Sequence, residues 1–219
     1  EAFNKKNFRG EIIKYDLVNR SYKNILNNKK KHYSYPSYFK HNNIEFILPE
    51  VASWSPPFLY SLNDNKKKYL KGFEDNNLID PTHFFYKDIH YIFAGKKEDS
   101  LYNLYLFYSV DSIYGPYKNH PLNPIVTNPL NARMGGKIIK FNNKIYRIGQ
   151  NATVIYGDGL YLNNITGSFD DLVKLSLNLT TLEEAKAWLS TKTVSVSIER
   201  VQKPEIQMSK VYSSNLLNK

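Results

Sequence analysis

Residues 35–50, YPSYFKHNNIEFILPE, recur without gaps at 80–95 as DPTHFFYKDIHYIFAG and at 135–150 as GGKIIKFNNKIYRIGQ. In each copy a run of aromatic and β-branched residues meets a two-residue polar turn, and a second apolar run follows. The turns are Asn42-Asn43, Lys87-Asp88 and Asn142-Asn143. Such pairs tolerate positive φ and fit tight hairpins. Phe46, Tyr91 and Tyr146 share one slot. Pro36, Pro81 and Gly136 share another, at spacings of 45 and 55 residues, close to the length of a β-propeller blade.

A second hairpin pattern follows each of these at a similar distance, in 56–73, 101–121 and 156–175. The repeating unit is therefore two hairpins in series, the four strands of a blade. Complete blades are expected at about 33–75, 78–121 and 132–175. Gly10 to Leu26 reads as two short strands around Val18-Asn19-Arg20, the outer half of a further blade. The expected fold is an all-β, five-bladed propeller with an incomplete or atypical last blade and a short C-terminal helix. Blades occupy 1–175 in this reading. In 176–219, two overlapping capping boxes (Thr180 with Glu183, Thr181 with Glu184) open a helix with Leu182, Ala185, Trp188 and Leu189 on one face. An alternating strand follows at Val194, Val196 and Ile198. This tail either closes the ring or docks on a partner.

A chain of 219 residues can bury one substantial core. It has no cysteine, which removes disulfides and thiolate metal sites and suits a reducing, cytoplasmic setting. It opens on Glu1 rather than Met, so a missing targeting segment decides nothing. No stretch of 18 apolar residues is present, and no transmembrane segment is expected. The net charge of +10 would attract polyanions. Its densest runs, Lys29-Lys30-Lys31 and Lys66-Lys67-Lys68, read as solvated loops between strands, and no nucleic-acid-binding motif accompanies them. No nucleophile elbow, phosphate-binding glycine loop or zinc motif occurs, so no metal and no cofactor is expected.

Propellers bind ligands where their innermost strands converge. Chemistry should therefore sit where the repeat turns polar. Asp80 stands where the other copies have Tyr35 and Gly135. Glu50 stands where they have Gly95 and Gln150. Arg133 lies three residues before Gly136, and a guanidinium beside two acids can hold a phosphate or a sugar carboxylate, or depress an acid's pKa. Trp54 can stack on a sugar from the rim or pack between blades. His83 and His120 have no metal-ligand spacing and read as core or surface residues.

The order YP…PE, IDPTHFF…YIFAG, LYLFYSVDSIYGPYKNHPLNPI and NARMGGKIIKFNNKIYRIGQN resembles one carbohydrate-associated family over about 9–170. That family is the propeller domain at the N-terminus of glucosamine inositolphosphorylceramide transferases and of bacterial proteins tied to surface-glycan synthesis. It is similar in turn to the five-bladed arabinanase and levansucrase type of glycoside-active fold. The resemblance implies an axial pocket lined by Glu50, Asp80, Arg133 and Gln150, with Asp80 as base or nucleophile and Glu50 as acid if the protein is catalytic. It departs at Arg133-Met134-Gly135-Gly136, where relatives read Arg-Pro-Ala-Gly. It departs again at Gln150-Asn151, where Asn151 removes a third acid. The implied function is carbohydrate-active or carbohydrate-recognising. It would engage a glycan or sugar-phosphate in glycan or glycolipid biosynthesis, by transfer, by hydrolysis or beside a catalytic glycosyltransferase domain. The alternatives are a non-catalytic protein-interaction scaffold and a polyanion binder.

Overall fold

The computed structural model describes residues 1–165, apart from 53, 75, 76, 152 and 154–158. Four antiparallel sheets follow one another along the chain. The first joins β1 (Ala2–Asn4), β2 (Arg9–Asp16) and β3 (Ser21–Leu26). The second is a meander of β4 (Ser34–His41), β5 (Ile44–Glu50), β6 (Phe58–Ser61) and β7 (Lys67–Tyr69). The third repeats it with β8 (Leu78–Tyr86), β9 (Ile89–Lys96), β10 (Asn103–Ser109) and β11 (Lys118–Asn119), and β12 (Val126–Thr127) adds to β10. The fourth contains β13 (Ile139–Phe141), β14 (Lys144–Asn151) and β15 (Gly159–Asn164). All six residues of the turn pairs lie in the left-handed region, with φ between 46 and 62 at Asn42, Asn43, Lys87, Asp88, Asn142 and Asn143. Paired positive φ values match the twist of the strands they join, which is why the repeat begins each unit with a tight hairpin.

What makes these sheets blades is that the middle ones bury both faces. Along β5, Phe46 and Leu48 point one way, into a cluster with Leu78, Ile92, Ala94 and Phe107 of the third sheet. Ile47 between them points the other way, into a cluster with Ile12 and Leu26 of the first sheet. In β9, Ile92 and Ala94 face back, while Tyr91 and Phe93 face forward to Ala132, Met134 and Ile145. Strict period-2 alternation sends successive residues into successive interfaces. The result is an all-β stack of blades in series, the architecture of a β-propeller. Each fully buried Leu, Ile or Phe contributes roughly 1.5–3 kcal/mol relative to exposure, so the sheets hold one another by apolar contact.

Two details depart from the sequence expectations, and a third places the two histidines read as core or surface residues in the core. The hairpin at Gly10 to Leu26 carries an additional strand, β1, too short to show a pattern. Lys67 and Lys68 do not lie in a solvated loop but on the edge strand β7. There Lys67 lies over Phe58 and Tyr69, and Lys68 sits 3.9 Å from the ring centre of Tyr114. Lysines on an exposed edge also discourage pairing with another chain. His83 is no isolated histidine: it is buried, stacked 4.0 Å from Phe39, and its Nε2 lies 3.1 Å from Nδ1 of His90. His120 is buried too, its Nδ1 accepting from the amide of Leu122. The expected helix at 182–189, the strand at 194–198 and the end of the last blade lie outside the described residues.

Burial is the main cause that lowers the pKa of both His83 and His90, His90 to about 4, and His41 adds charge repulsion. A base whose folded pKa is depressed gives stability that is full above its unfolded value, about 6.5, and is lost as pH falls through the folded value. Compared with the double variant His83→Leu/His90→Leu, the wild type should lose stability as pH is lowered from 6.5 towards 4 in urea melts. A stability difference that stays constant over that range would contradict this.

Candidate functional site

The site begins with two bulges. Ser34 pairs with Glu50 and Ser37 with Leu48, so β4 carries one surplus residue. Ile79 pairs with Gly95 and Thr82 with Phe93, so β8 does the same in the same repeat position. At these bulges Tyr35 and Asp80 adopt φ of 43 and 49. Left-handed backbone costs an ordinary residue about 1–2 kcal/mol, and non-glycine residues held there cluster at functional sites. A bulge also takes an amide out of the ladder and leaves it free to donate elsewhere. Both find a carboxylate from the preceding sheet or its start. The Asp80 amide donates to Glu50 Oε2 at 2.9 Å, and the Tyr35 amide donates to Glu1 Oε2 at 3.1 Å.

The fourth sheet completes the group. Met134 bridges to Gly149, the Gly135 amide donates to Ile148 O, and the Gln150 amide donates to Arg133 O at 2.7 Å. Segment 133–135 thus runs along β14 as the inner edge of its sheet. It presents Arg133, whose Nε donates to Asp80 Oδ2 at 2.5 Å. Tyr35 reaches across all three blades: its hydroxyl is 2.9 Å from Thr82 Oγ1 and donates to Gly136 O at 3.3 Å. Glu50 Oε1 accepts from Ser34 Oγ at 3.2 Å.

Burial pushes the Asp80 carboxyl up to about 7, Arg133 opposes the rise, and the Glu50 charge adds to it. Burial likewise raises the Tyr35 phenol to about 12, so it remains a hydrogen-bond donor at neutral pH. A carboxyl that titrates near neutrality, next to a second carboxylate and a guanidinium, can accept sugar hydroxyls and can give or take a proton. Among the described residues, no group of His, Asp and Glu is arranged to hold a metal.

The structure brings Glu50, Asp80 and Arg133 together. Gln150 joins them through its backbone, and its buried Oε1 has no hydrogen-bond partner among the described residues. Asn151 uses its side chain locally, accepting from the amide and the hydroxyl of Thr153. Trp54 packs: its Nε1 donates to His32 O at 2.6 Å, and its ring meets Tyr33 edge-on. The second copy of the Glu50 position is Gly95, in the third sheet, and a Cβ there would come within 2.6 Å of the Ser100 Cβ, so that blade has no room for a side chain. Tyr35, Thr82 and Glu1 were not singled out by sequence. For Tyr35 the signal was present, since it shares a repeat position with Asp80.

The charge balance gives a test with two opposite signs. Arg133→Met should raise the Asp80 pKa further, by about one unit or more, and Glu50→Gln should lower it. Carboxyl-carbon NMR titration reads both. Shifts of the same sign, or none, would mean that the three groups do not share a field.

The chain was compared with known proteins. The family model described as "Glucosamine inositolphosphorylceramide transferase 1, N-terminal" matches residues 18–206. Proteins named glucosamine inositolphosphorylceramide transferase 1 from Oryza sativa, subspecies japonica and indica, are each 30% identical over 166 residues. That match covers 71% of this chain and 22% of theirs. Among solved structures, a GH43 protein from Bacillus licheniformis aligns over 69% of this chain and 33% of its own, with a TM-score of 0.48 and 17% identity. A Bacillus subtilis arabinanase aligns over 68% and 60%, with a TM-score of 0.44 and 17% identity. The chain spans about a fifth of the length of the curated relatives it matches. By the family model, which covers most of its length, it belongs to the family of the N-terminal region of glucosamine inositolphosphorylceramide transferase 1.

Proposed function

We propose that this chain is a sugar-binding propeller domain that serves glycan or glycolipid biosynthesis beside a glycosyltransferase domain. The observation that carries the reading is the meeting of Glu50, Asp80 and Arg133, from three successive blades, at the two strained bulges. Arg133 is already committed to Asp80, which leaves the group richer in carboxylates than in cations. Carboxylates suit sugar hydroxyls, and an amino sugar's ammonium better than a phosphate. The relatives' name includes glucosamine, an amino sugar, and a transferase activity that belongs to proteins far longer than this chain.

A catalytic reading is favoured by one observation, the Asp80 carboxyl pushed up to about 7 by burial. Asp80 would then be the base or nucleophile and Glu50 the acid of a glycosyl transfer or hydrolysis. The two readings separate in one comparison of wild type with Asp80→Asn. Calorimetric titration with amino-sugar oligosaccharides should show at least about a tenfold weaker affinity in the variant, the scale of a lost charged hydrogen bond. Neither protein should turn the sugar over. Turnover by wild type that Asp80→Asn abolishes would replace the binding reading with the catalytic one, and equal affinity in both would remove Asp80 from the site.

A further inference from the structure

The same repeat frame that singles out Asp80 holds a second break, deep in the sheet. Position 47 of the second blade and position 92 of the third are isoleucines, 5% and 0% exposed. The matching residue of the fourth sheet is Arg147, 2% exposed. Its neighbour on the same face, Ile145, joins the apolar cluster between the third and fourth sheets. No carboxylate of the described residues pairs with this guanidinium; its Nη1 donates to Asn131 O at 2.7 Å. Burial lowers its pKa to about 10, which leaves it charged at neutral pH. A buried cation with no counter-charge among the described residues is worse for stability than an apolar residue of similar size. Isoleucine, which fills the slot twice, would serve packing better.

The chain around Asn131 explains the exchange. The turn that precedes Arg133 is closed by the amides of Asn131 and Ala132 donating to Asn128 O. Asn131 is buried, and its Nδ2 donates to Asn163 Oδ1 at 2.8 Å. Asn163 returns a bond to the Arg147 carbonyl. This turn lies directly on β14: a Cβ at Gly149 would come 2.4 Å from Asn131 O and 3.1 Å from Arg147 Nη1. β14 therefore grips the segment at two carbonyls, Asn131 O through the Arg147 side chain and Arg133 O through the Gln150 amide. The residue between those grips and the bulge of β8 is Arg133.

We infer that Arg147 is a positioning residue for the site: buried in an isoleucine slot, it holds the Asn131 carbonyl and so fixes the turn that presents Arg133 to Asp80. It touches neither Asp80 nor a ligand in this role. The inference rests on the Asp80–Arg133 geometry that also underlies the sugar-binding reading. It is tested without any sugar, so that failure of one is distinguishable from failure of the other.

The test is Arg147→Ile, the residue the other blades carry, read by thermal melting and by carboxyl-carbon NMR titration of Asp80. The charged and titratable groups around Asp80 are Arg133, Glu50 and the Tyr35 phenol, and none of them is substituted in this variant. The protein should melt no lower than wild type, while the Asp80 pKa rises by about one unit, as when an opposite charge moves away. In an Arg133→Met background, Arg147→Ile should add no further shift. Arg147→Lys, which keeps a donor for Asn131 O, should restore most of the wild-type titration. An unchanged Asp80 titration in folded Arg147→Ile would overturn the inference. So would an equal shift in the Arg133→Met background, which would mark the direct field of the Arg147 charge. Loss of the fold in both Arg147→Ile and Arg147→Lys would show Arg147 to be scaffold alone.

Discussion

A sheet stacked between two others has to bury both faces, and from that constraint the rest of this molecule follows. Period-2 alternation sends Phe46 and Leu48 forward and Ile47 back, then Tyr91 and Phe93 forward and Ile92 and Ala94 back. The inner strands have little freedom left to present polar side chains without breaking that pattern. The bulges at Tyr35 and Asp80 supply the break. One surplus residue per strand, held at positive φ, turns a side chain out of the alternation and frees an amide to be bound by a carboxylate. The same local device appears in consecutive blades, so its products lie near each other.

Electrostatics then decides what the convergence can do. The chain carries +10 overall, yet the two bulges bind Glu1 and Glu50, and Asp80 stands beside Glu50 with one arginine that is already paired. An acidic locus in a basic protein is poorly matched to a phosphate and better matched to hydroxyls or an ammonium. Most of the basic charge lies elsewhere; Lys67 and Lys68, for example, are spread over aromatic rings on the outer edge of the second blade. Net charge, taken over the whole sequence, pointed towards polyanions and said little about the site.

The fold was legible in sequence because its determinants are local. Paired turn residues, alternation and a repeat frame need no long-range contact to be seen, and the hairpins at the three turn pairs fall where those signals put them. β1 escaped because three residues cannot show a period, and the β7 lysines were misplaced because an edge strand solvates like a loop. Within the site, Asp80 and Glu50 were visible as polar residues in an apolar frame. Tyr35 was passed over although it shares the repeat position of Asp80, since an aromatic before Pro36 looks like ordinary core. Arg147 was in plain view, an arginine in an isoleucine slot. Its burial and its hold on Asn131 exist only once the fourth sheet lies against the third.

The convergence of three blades on one ligand is the claim on which the functional reading stands, and a chemical-shift map tests it most directly. The backbone amides of the isotope-labelled chain would be followed during titration with an amino-sugar oligosaccharide. Shifts should gather at Tyr35, Glu50, Asp80, Arg133 and Gln150, residues far apart in sequence that the bulges and β14 bring together. Shifts confined to Lys67, Lys68 and their neighbours on β7, or no shifts at all, would contradict it.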